Sequence, residues 1–229
     1  MVRHPPHAPL GLPWMTGGDE PPLGSAAVRE ITEALNLQLE EDKVARLLDH
    51  LLLVRELNRE INLVSRSSVE RTLLASLWES LVAARLHWET GERLLDLGSG
   101  GGFPGLPLAI VLPGLHVTLL DSRRAKTLAL KRILAELKMN PFPEVVHDRA
   151  ETLAEHSDVR FDAVAVRAVG PLKEVAPWAE RLLVPGGRLL AWKGPEGLKE
   201  FQSLPAERWK LQERLPVLPH RSILVLARV

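Results

Sequence analysis

The chain reads as an α/β protein, a Rossmann-like open sheet preceded by a run of helices. Three observations carry that reading. Apolar residues up to about Gly91 recur at helical spacing with no strand signal. Beyond Gly91, short apolar runs alternate with helical stretches, the pattern of a parallel sheet. The first of those runs, Leu94-Leu95-Asp96-Leu97, dissolves into Gly98-Ser99-Gly100-Gly101-Gly102 and then meets Phe103-Pro104-Gly105. Strand, tight turn and helix start in succession mark the part of an open α/β sheet where nucleotide-like ligands sit.

Composition excludes several classes. A length of 229 residues suits one domain with a small helical appendage. Basic and acidic residues balance at 29 each, so a nucleic-acid partner would have to use a local patch. The absence of cysteine removes disulfides, thiolate metal sites and every Cys-nucleophile mechanism, and no metal is expected. No apolar run approaches the ~20 residues that span a bilayer, so no membrane partner is expected. Residues 1–24, rich in Pro, His and Gly, lack the apolar core of a secretory signal and are expected to form a disordered tail. Met15 offers an alternative start, and the expected location is cytoplasmic.

Residues 25–90 are expected to form an N-terminal helical cap. Val44, Leu47, Leu48, Leu51, Leu52 and Leu57 recur three and four apart within a helical pattern from Ser25 to about Val64. Ser67 and Glu70 have capping-box spacing before the stripe Leu73, Leu74, Leu77, Trp78, Leu81 and Val82. Residues 91–229 carry the alternation. Strands are predicted at Arg93–Leu97, His116–Leu120, Glu144–His147, Phe161–Val166, Arg188–Trp192, Leu211–Leu215 and Ser222–Ala227. Helices are predicted at Gly105–Val111, Arg124–Lys138, from Ala150, and at Leu172–Leu183, with Pro185-Gly186-Gly187 as a turn.

Two adenosine cofactors use such a turn. Gly100, Gly102 and Gly105 fit the dinucleotide pattern G-x-G-x-x-G, a weak match within a glycine-rich run. Asp96, Gly98, Gly100 and Gly102 fit the alternating pattern of S-adenosylmethionine methyltransferases. A pyrophosphate wants a helix N-terminus without a carboxylate nearby. S-adenosyl-L-methionine has no phosphate and carries two cationic groups, so Asp96 beside the glycines is compatible with it. Asp121 lies 19 residues after Gly102 at the next strand end, where it can accept from ribose hydroxyls of either cofactor. His147-Asp148-Arg149-Ala150-Glu151 falls near the adenine position, or is simply a solvated helix start. No room remains for the second domain of a dehydrogenase. Seven strands closing on a late pair resemble the class I S-adenosylmethionine-dependent methyltransferase sheet, which implies a Rossmann-like seven-stranded sheet with a reversed last strand, here with N-terminal helices added.

The acceptor is narrowed by missing motifs. The fourth strand runs into Val166-Arg167-Ala168-Val169-Gly170-Pro171, without the Asp/Asn-Pro-Pro-aromatic motif of exocyclic amine methylation. Carbon-5 methylation of pyrimidines lacks its cysteine. Acceptors with an available lone pair remain, ring nitrogens and hydroxyls among them.

Leu95 to Pro107, with its Phe103-Pro104-Gly105-Leu106-Pro107 extension, resembles the glycine loop of the bacterial small-subunit ribosomal RNA guanine-N7 methyltransferases, the GidB/RsmG (glucose-inhibited division protein B) family. His147 to Glu151, Val166 to Val169, Trp192-Lys193-Gly194 and Asn62-Leu63 match further family blocks in order, from about Leu47 onward. The resemblance implies methylation of a guanosine N7 in 16S rRNA, with small-subunit ribosomal RNA or the 30S particle as partner. The sequence does not set the oligomeric state, and a monomer is the default expectation. It implies that Gly98 and Phe103 line the methionine end of the cofactor, Asp121 and Ser122 hold the ribose, and Ala150 and Glu151 contact the adenine. Asp96 and Gly100 belong to the same donor-positioning loop. Arg167, which would reach both cofactor and target, is the candidate catalytic residue; a cation ending an apolar strand otherwise needs a salt bridge with the helix after it. Lys193 is a weaker candidate for drawing phosphate.

The sequence departs from the family at Val64, where Thr is usual, and at Ala75 to Ser80, which align with a Lys-His-x-x-Asp-Ser block. It also ends at Val229 without the basic Pro-rich tail of many members. These departures keep two alternatives open: a methyltransferase of another acceptor, protein or small molecule, and a cofactor-binding ribosome-associated factor without activity. Arg123, Arg124, Lys126, Lys131, Arg132 and Lys138 crowd one segment and could follow a phosphate backbone or form a solvated face.

Overall fold

The structure, a computed structural model, describes residues 12–16, 19, 21–65, 68–139 and 143–229. Its strands are β1 (Arg93–Leu97), β2 (His116–Asp121), β3 (Glu144–His147), β4 (Phe161–Arg167), β5 (Leu183–Lys193), β6 (Trp209–Leu218) and β7 (Arg221–Arg228). They form a seven-stranded sheet in the order β3-β2-β1-β4-β5-β7-β6. Strands β1 to β5 pair in parallel, whereas β7 runs antiparallel to both β5 and β6. The last strand is thus the reversed one. Chain order reverses between β1 and β4, which opens a crevice beyond the carboxyl ends of those strands.

Parallel neighbours need crossovers, here the helices α4 (Gly105–Val111), α5 (Arg124–Glu136), α6 (Ala150–His156) and α7 (Leu172–Leu182). These follow the cap helices α1 (Ser25–Ala34), α2 (Glu41–Leu57) and α3 (Val69–Ala83), and a short α8 (Gly197–Gln202) precedes β6. Alternation along the strands sorts the core into two layers. Leu94, Ala163, Ala165, Leu190, Ile223 and Val225 share a buried cluster with α1 to α5. Leu95, Leu97, Val164, Val166, Leu189 and Leu224 pack on the other face with α6 and α7. The cap is therefore an extension of the α4/α5 layer. Trp78 of α3, which the sequence placed in the core, is 1% exposed and donates from Nε1 to the Val217 carbonyl at 2.7 Å.

Several boundaries differ from the sequence reading for local reasons. The pattern from Ser25 to Val64 is two helices, broken where Asn36 adopts φ +56° and ended at Leu57. Helix α5 stops at Glu136, because Lys138 is left-handed at φ +55°. Strand β4 runs one residue further and includes Arg167. Pro185-Gly186-Gly187 lies inside the bent strand β5, where the register with β4 shifts and Gly186 has φ +76°. Helix α8 was not foreseen. Ser67 of the expected capping box lies outside the described residues; the helix begins after Ser68, and Glu70 instead accepts from Arg55 at 2.9 Å. The tail expectation is corrected at Leu12–Thr16: Leu12 and Trp14 are buried in the cap-side cluster beside a 3-10 turn over Pro13–Thr16. Truncating an indole this buried removes packing and a hydrogen bond together. Trp78→Ala is expected to lower stability by about 3–5 kcal/mol, read as a lower denaturant midpoint at unchanged slope.

Candidate active site

The glycine loop takes its shape from alternating backbone signs. Gly98, Gly100 and Gly102 have φ of +80°, +56° and +90°, a region that side chains rarely enter. Gly98 also faces the Val169 side chain, and a Cβ there would come within 2.8 Å of its Cγ2. The amides of Gly98 and Ser99 both donate to the Leu120 carbonyl, at 2.8 and 2.9 Å, which fastens the loop to the end of β2. Asp121 completes that fastening. Its Oδ2 accepts from the Gly100 amide at 3.0 Å and its Oδ1 from the Arg123 amide at 2.9 Å. A carboxylate has about four acceptor positions, so lone pairs remain for hydroxyl donors.

Asp96 has a different place from the one its motif suggests. Alternation turns it to the α4 side, where it is 1% exposed and accepts from the Gly105 amide at 3.0 Å. Burial raises its pKa to about 6, against the opposing effects of that bond and the Ser99 hydroxyl. Asp96 ties β1 to the start of α4 beneath the loop and does not line the cleft.

The cleft itself lies beyond β1, β2 and β4. It has a volume of about 240 Å³ and is lined by Gly98, Asp121, Ser122, Ala150 and Glu151, together with Asp148, Arg149, Val169 and Trp178 among others. Gly100, Phe103, Asp96 and Arg167 are not among its lining residues. Its charge is informative: three carboxylates face one guanidinium, Arg149, whose Nε is 3.8 Å from Glu151. Such a lining suits hydroxyls, an amine and a sulfonium, and opposes a pyrophosphate. The residues present therefore fit S-adenosylmethionine better than a dinucleotide. Trp178 went unread in the sequence, and Val169 entered only as part of a family block without a role of its own, since an apolar residue carries no chemical signal there.

Arg167 ends β4 on the same face as Ala163 and Ala165, so it points into the cap layer. Its Nη1 donates to Ser76 Oγ at 3.0 Å and to Glu79 Oε2 at 3.1 Å, and its guanidinium stands 5.5 Å from the Phe103 ring centroid. The salt-bridge alternative is thus corrected: the partner is on α3, which precedes the sheet, rather than on the helix after the strand. Glu79 is 1% exposed and also takes Arg221, while its backbone carbonyl accepts from Trp192 Nε1 at 3.0 Å. The departures at Ser76 and Glu79 therefore fall on the two residues that hold Arg167, and Glu79 retains the carboxylate of the aligned Asp. Lys193 is already engaged, with Nζ 2.8 Å from both the Gly170 carbonyl and Glu200 Oε2. That leaves it poorly placed to draw phosphate.

Beneath the loop, α2 contributes His50, which sequence reasoning missed. It is fully buried, and its Nε2 lies 2.8 Å from the Gly101 carbonyl. Its position within the apolar stripe Leu47, Leu51 and Val54 was the signal available. No cluster of three or more His, Cys, Asp or Glu residues placed to hold a metal occurs among the described residues.

The fold is that of the class I methyltransferases. A Klebsiella pneumoniae structure assigned as an O-methyltransferase superposes with a TM-score of 0.58 at 16% identity, covering 89% of this chain and 96% of that one. The Methanococcus jannaschii fibrillarin pre-rRNA processing protein gives 0.51 at 14% identity, covering 61% and 67%. More narrowly, the family profile "GidB: rRNA small subunit methyltransferase G" matches residues 43–221. The chain is 37% identical over 195 residues to the ribosomal RNA small subunit methyltransferase G of Marinobacter nauticus, covering 83% of this chain and 86% of the relative. To that of Pseudomonas aeruginosa it is 35% identical over 200 residues, covering 86% and 92%. The chain belongs to the rRNA small subunit methyltransferase G family, and it is an enzyme of the methyltransferase class.

The Asp96 environment has a measurable consequence. Its folded pKa near 6 exceeds the ordinary aspartate value of 3.8, so between pH 4 and 6 the folded state holds the additional proton. Stability from this group is therefore present at low pH and lost as pH rises through 6. Asp96→Asn keeps an acceptor for Gly105 and removes that loss. Relative to wild type, the variant is expected to gain roughly 2–3 kcal/mol between pH 4 and 7 in denaturant titrations.

Proposed function

We propose that this enzyme transfers a methyl group from S-adenosylmethionine to N7 of a guanosine in small-subunit ribosomal RNA. The observation that carries this reading is the extent of the family match, which runs through cap and sheet together over residues 43–221. The relatives named above are ribosomal RNA small subunit methyltransferases, and the loop from Leu95 to Pro107 has the sequence expected of guanine-N7 enzymes.

The chemistry asks little of the protein beyond placement. S-adenosylmethionine, when bound, supplies a methyl group on a cationic sulfur. A guanine N7 presents an in-plane lone pair and has no proton to lose, so attack needs alignment and electrostatics rather than a general base. Asp121 and Ser122 are assigned to the ribose, Ala150 and Glu151 to the adenine, and Gly98 with Phe103 to the methionine end. Arg167, held by Ser76 and Glu79 beside Phe103, is assigned to the target side of the loop. No covalent enzyme intermediate is required.

A surface for RNA is available on α5. Arg123, Arg124, Lys131, Arg132 and Lys138 are exposed, and Leu128 stands 55% exposed among them. Arg132 is shared with Glu56 at 3.3 Å. The stripe begins immediately after Ser122, so a phosphate backbone following it would pass the cleft. In a chain of zero net charge this local excess is the feature that supports a polyanionic substrate.

Mass spectrometry of ribosomal RNA from a deletion strain tests the acceptor. Loss of one N7-methylguanosine from 16S rRNA is expected, and an unchanged methylation pattern would overturn the assignment. Arg167→Ala is expected to reduce methylation on the order of 100-fold or more at temperatures where the variant is folded, and to lower the melting temperature because Glu79 loses one of its two buried partners. Normal turnover in that variant would remove the role given to Arg167.

A further inference from the structure

The cap is joined to the cofactor loop by more than general packing. Each glycine in the middle of the loop meets an atom of the cap or its following turn where a side chain would grow. A Cβ on Gly100 would lie 3.4 Å from the Leu63 carbonyl oxygen, one on Gly101 3.2 Å from Val54 Cγ1, and one on Gly102 3.3 Å from His50 Nε2. Leu63 is itself fixed, because the buried Asn58 side chain accepts from the amides of Leu63 and Val64 at 2.8 and 2.9 Å. So the glycines leave room for the cap on one side as well as for a ligand on the other.

His50 makes the one polar contact in this set. The Gly101 carbonyl can only accept, so Nε2 carries the proton and Nδ1 is a bare lone pair. Nδ1 is buried without a hydrogen-bond partner among the described residues. The ring also meets Phe103, with centroids 4.6 Å apart and planes inclined by 37°. A fully buried imidazole that leaves one nitrogen unpaired is a poor choice for packing alone, since an aliphatic side chain would fill the space without that cost. What the imidazole adds is a donor to the loop backbone.

We propose that His50 is a positioning residue for the cofactor. Its Nε2–H grips the Gly101 carbonyl and its ring supports Phe103, so that helix α2 sets the loop geometry that receives the methionine end. This inference rests on the S-adenosylmethionine reading given above. It makes the cap part of the cofactor site, although no cap residue lines the cleft.

The test compares wild type with His50→Phe, which keeps a ring but has no donor, and His50→Gln, which restores a donor at similar reach. S-adenosylhomocysteine affinity is measured by calorimetry, and KM for S-adenosylmethionine and kcat by methylation of ribosomal RNA. The Phe variant is expected to bind about tenfold more weakly, with KM raised in step and kcat unchanged, and the Gln variant to return to within about twofold of wild type. A purely structural role would lower the melting temperature of both and leave affinity intact below it; that result overturns the proposal. Equal loss in Gln and Phe overturns it too. If the Phe variant melts below the assay temperature, His50→Asn, whose amide is too short to reach Gly101, replaces it in the comparison. Wild-type protein that binds no S-adenosylhomocysteine would overturn the cofactor reading, and this proposal with it, whereas wild-type binding with an unaffected Phe variant overturns this proposal alone.

Discussion

Glu79 is the residue on which the arrangement of cap, sheet and site depends. A carboxylate buried to 1% exposure is unfavourable unless it is paired, and Glu79 is paired twice, to Arg167 from β4 and Arg221 from β7. Its backbone carbonyl takes the Trp192 indole of β5 as well. Three neighbouring strands are thus fastened at their site-facing ends to one turn of α3. Because β7 is reversed, its first residue Arg221 comes to the same edge as the last residues of β4 and β5. The reversed strand therefore has a local use, to bring a second cation to Glu79.

That fastening also decides where Arg167 can act. An arginine at a strand end is ordinarily free to follow solvent. Here Ser76 and Glu79 hold one nitrogen and Phe103 lies under the guanidinium plane, which fixes the group beside the glycine loop. The loop is gripped on its other faces by the Leu120 carbonyl, by Asp121 and by His50. Cofactor-side and cap-side contacts share the same five-residue turn.

Much of this was legible from residue order. The seven strands and the crossovers follow from apolar periodicity, the reversed end was implied by the resemblance to the methyltransferase sheet, and Gly98, Asp121, Ser122, Ala150 and Glu151 line one cleft. Asp96 stands apart from these residues. The acidic residue ahead of the glycines looks like a ligand contact, yet strand alternation buries it against Gly105. Lys193 and Arg167 looked alike as strand-end cations, and their partners, Glu200 on an unforeseen helix and Glu79 on α3, distinguish them. His50 was invisible in practice, because a histidine in an apolar stripe is as readily core filling as function.

What the sequence determined by itself was the set of local geometries: where glycines permit left-handed backbone, where apolar runs make strands, and which side of each strand a residue faces. Those are properties of a few neighbouring residues, governed by sterics and periodicity. Only the tertiary structure decided which of the charged and polar groups meet. Glu79 lies 88 residues before Arg167 and 142 before Arg221, and His50 lies 51 before Gly101. Nothing in the spacing of those residues encodes their contact. It arises because the cap must bury its apolar stripes on the α4/α5 layer, and doing so places one carboxylate and one imidazole against the edge where the loop begins.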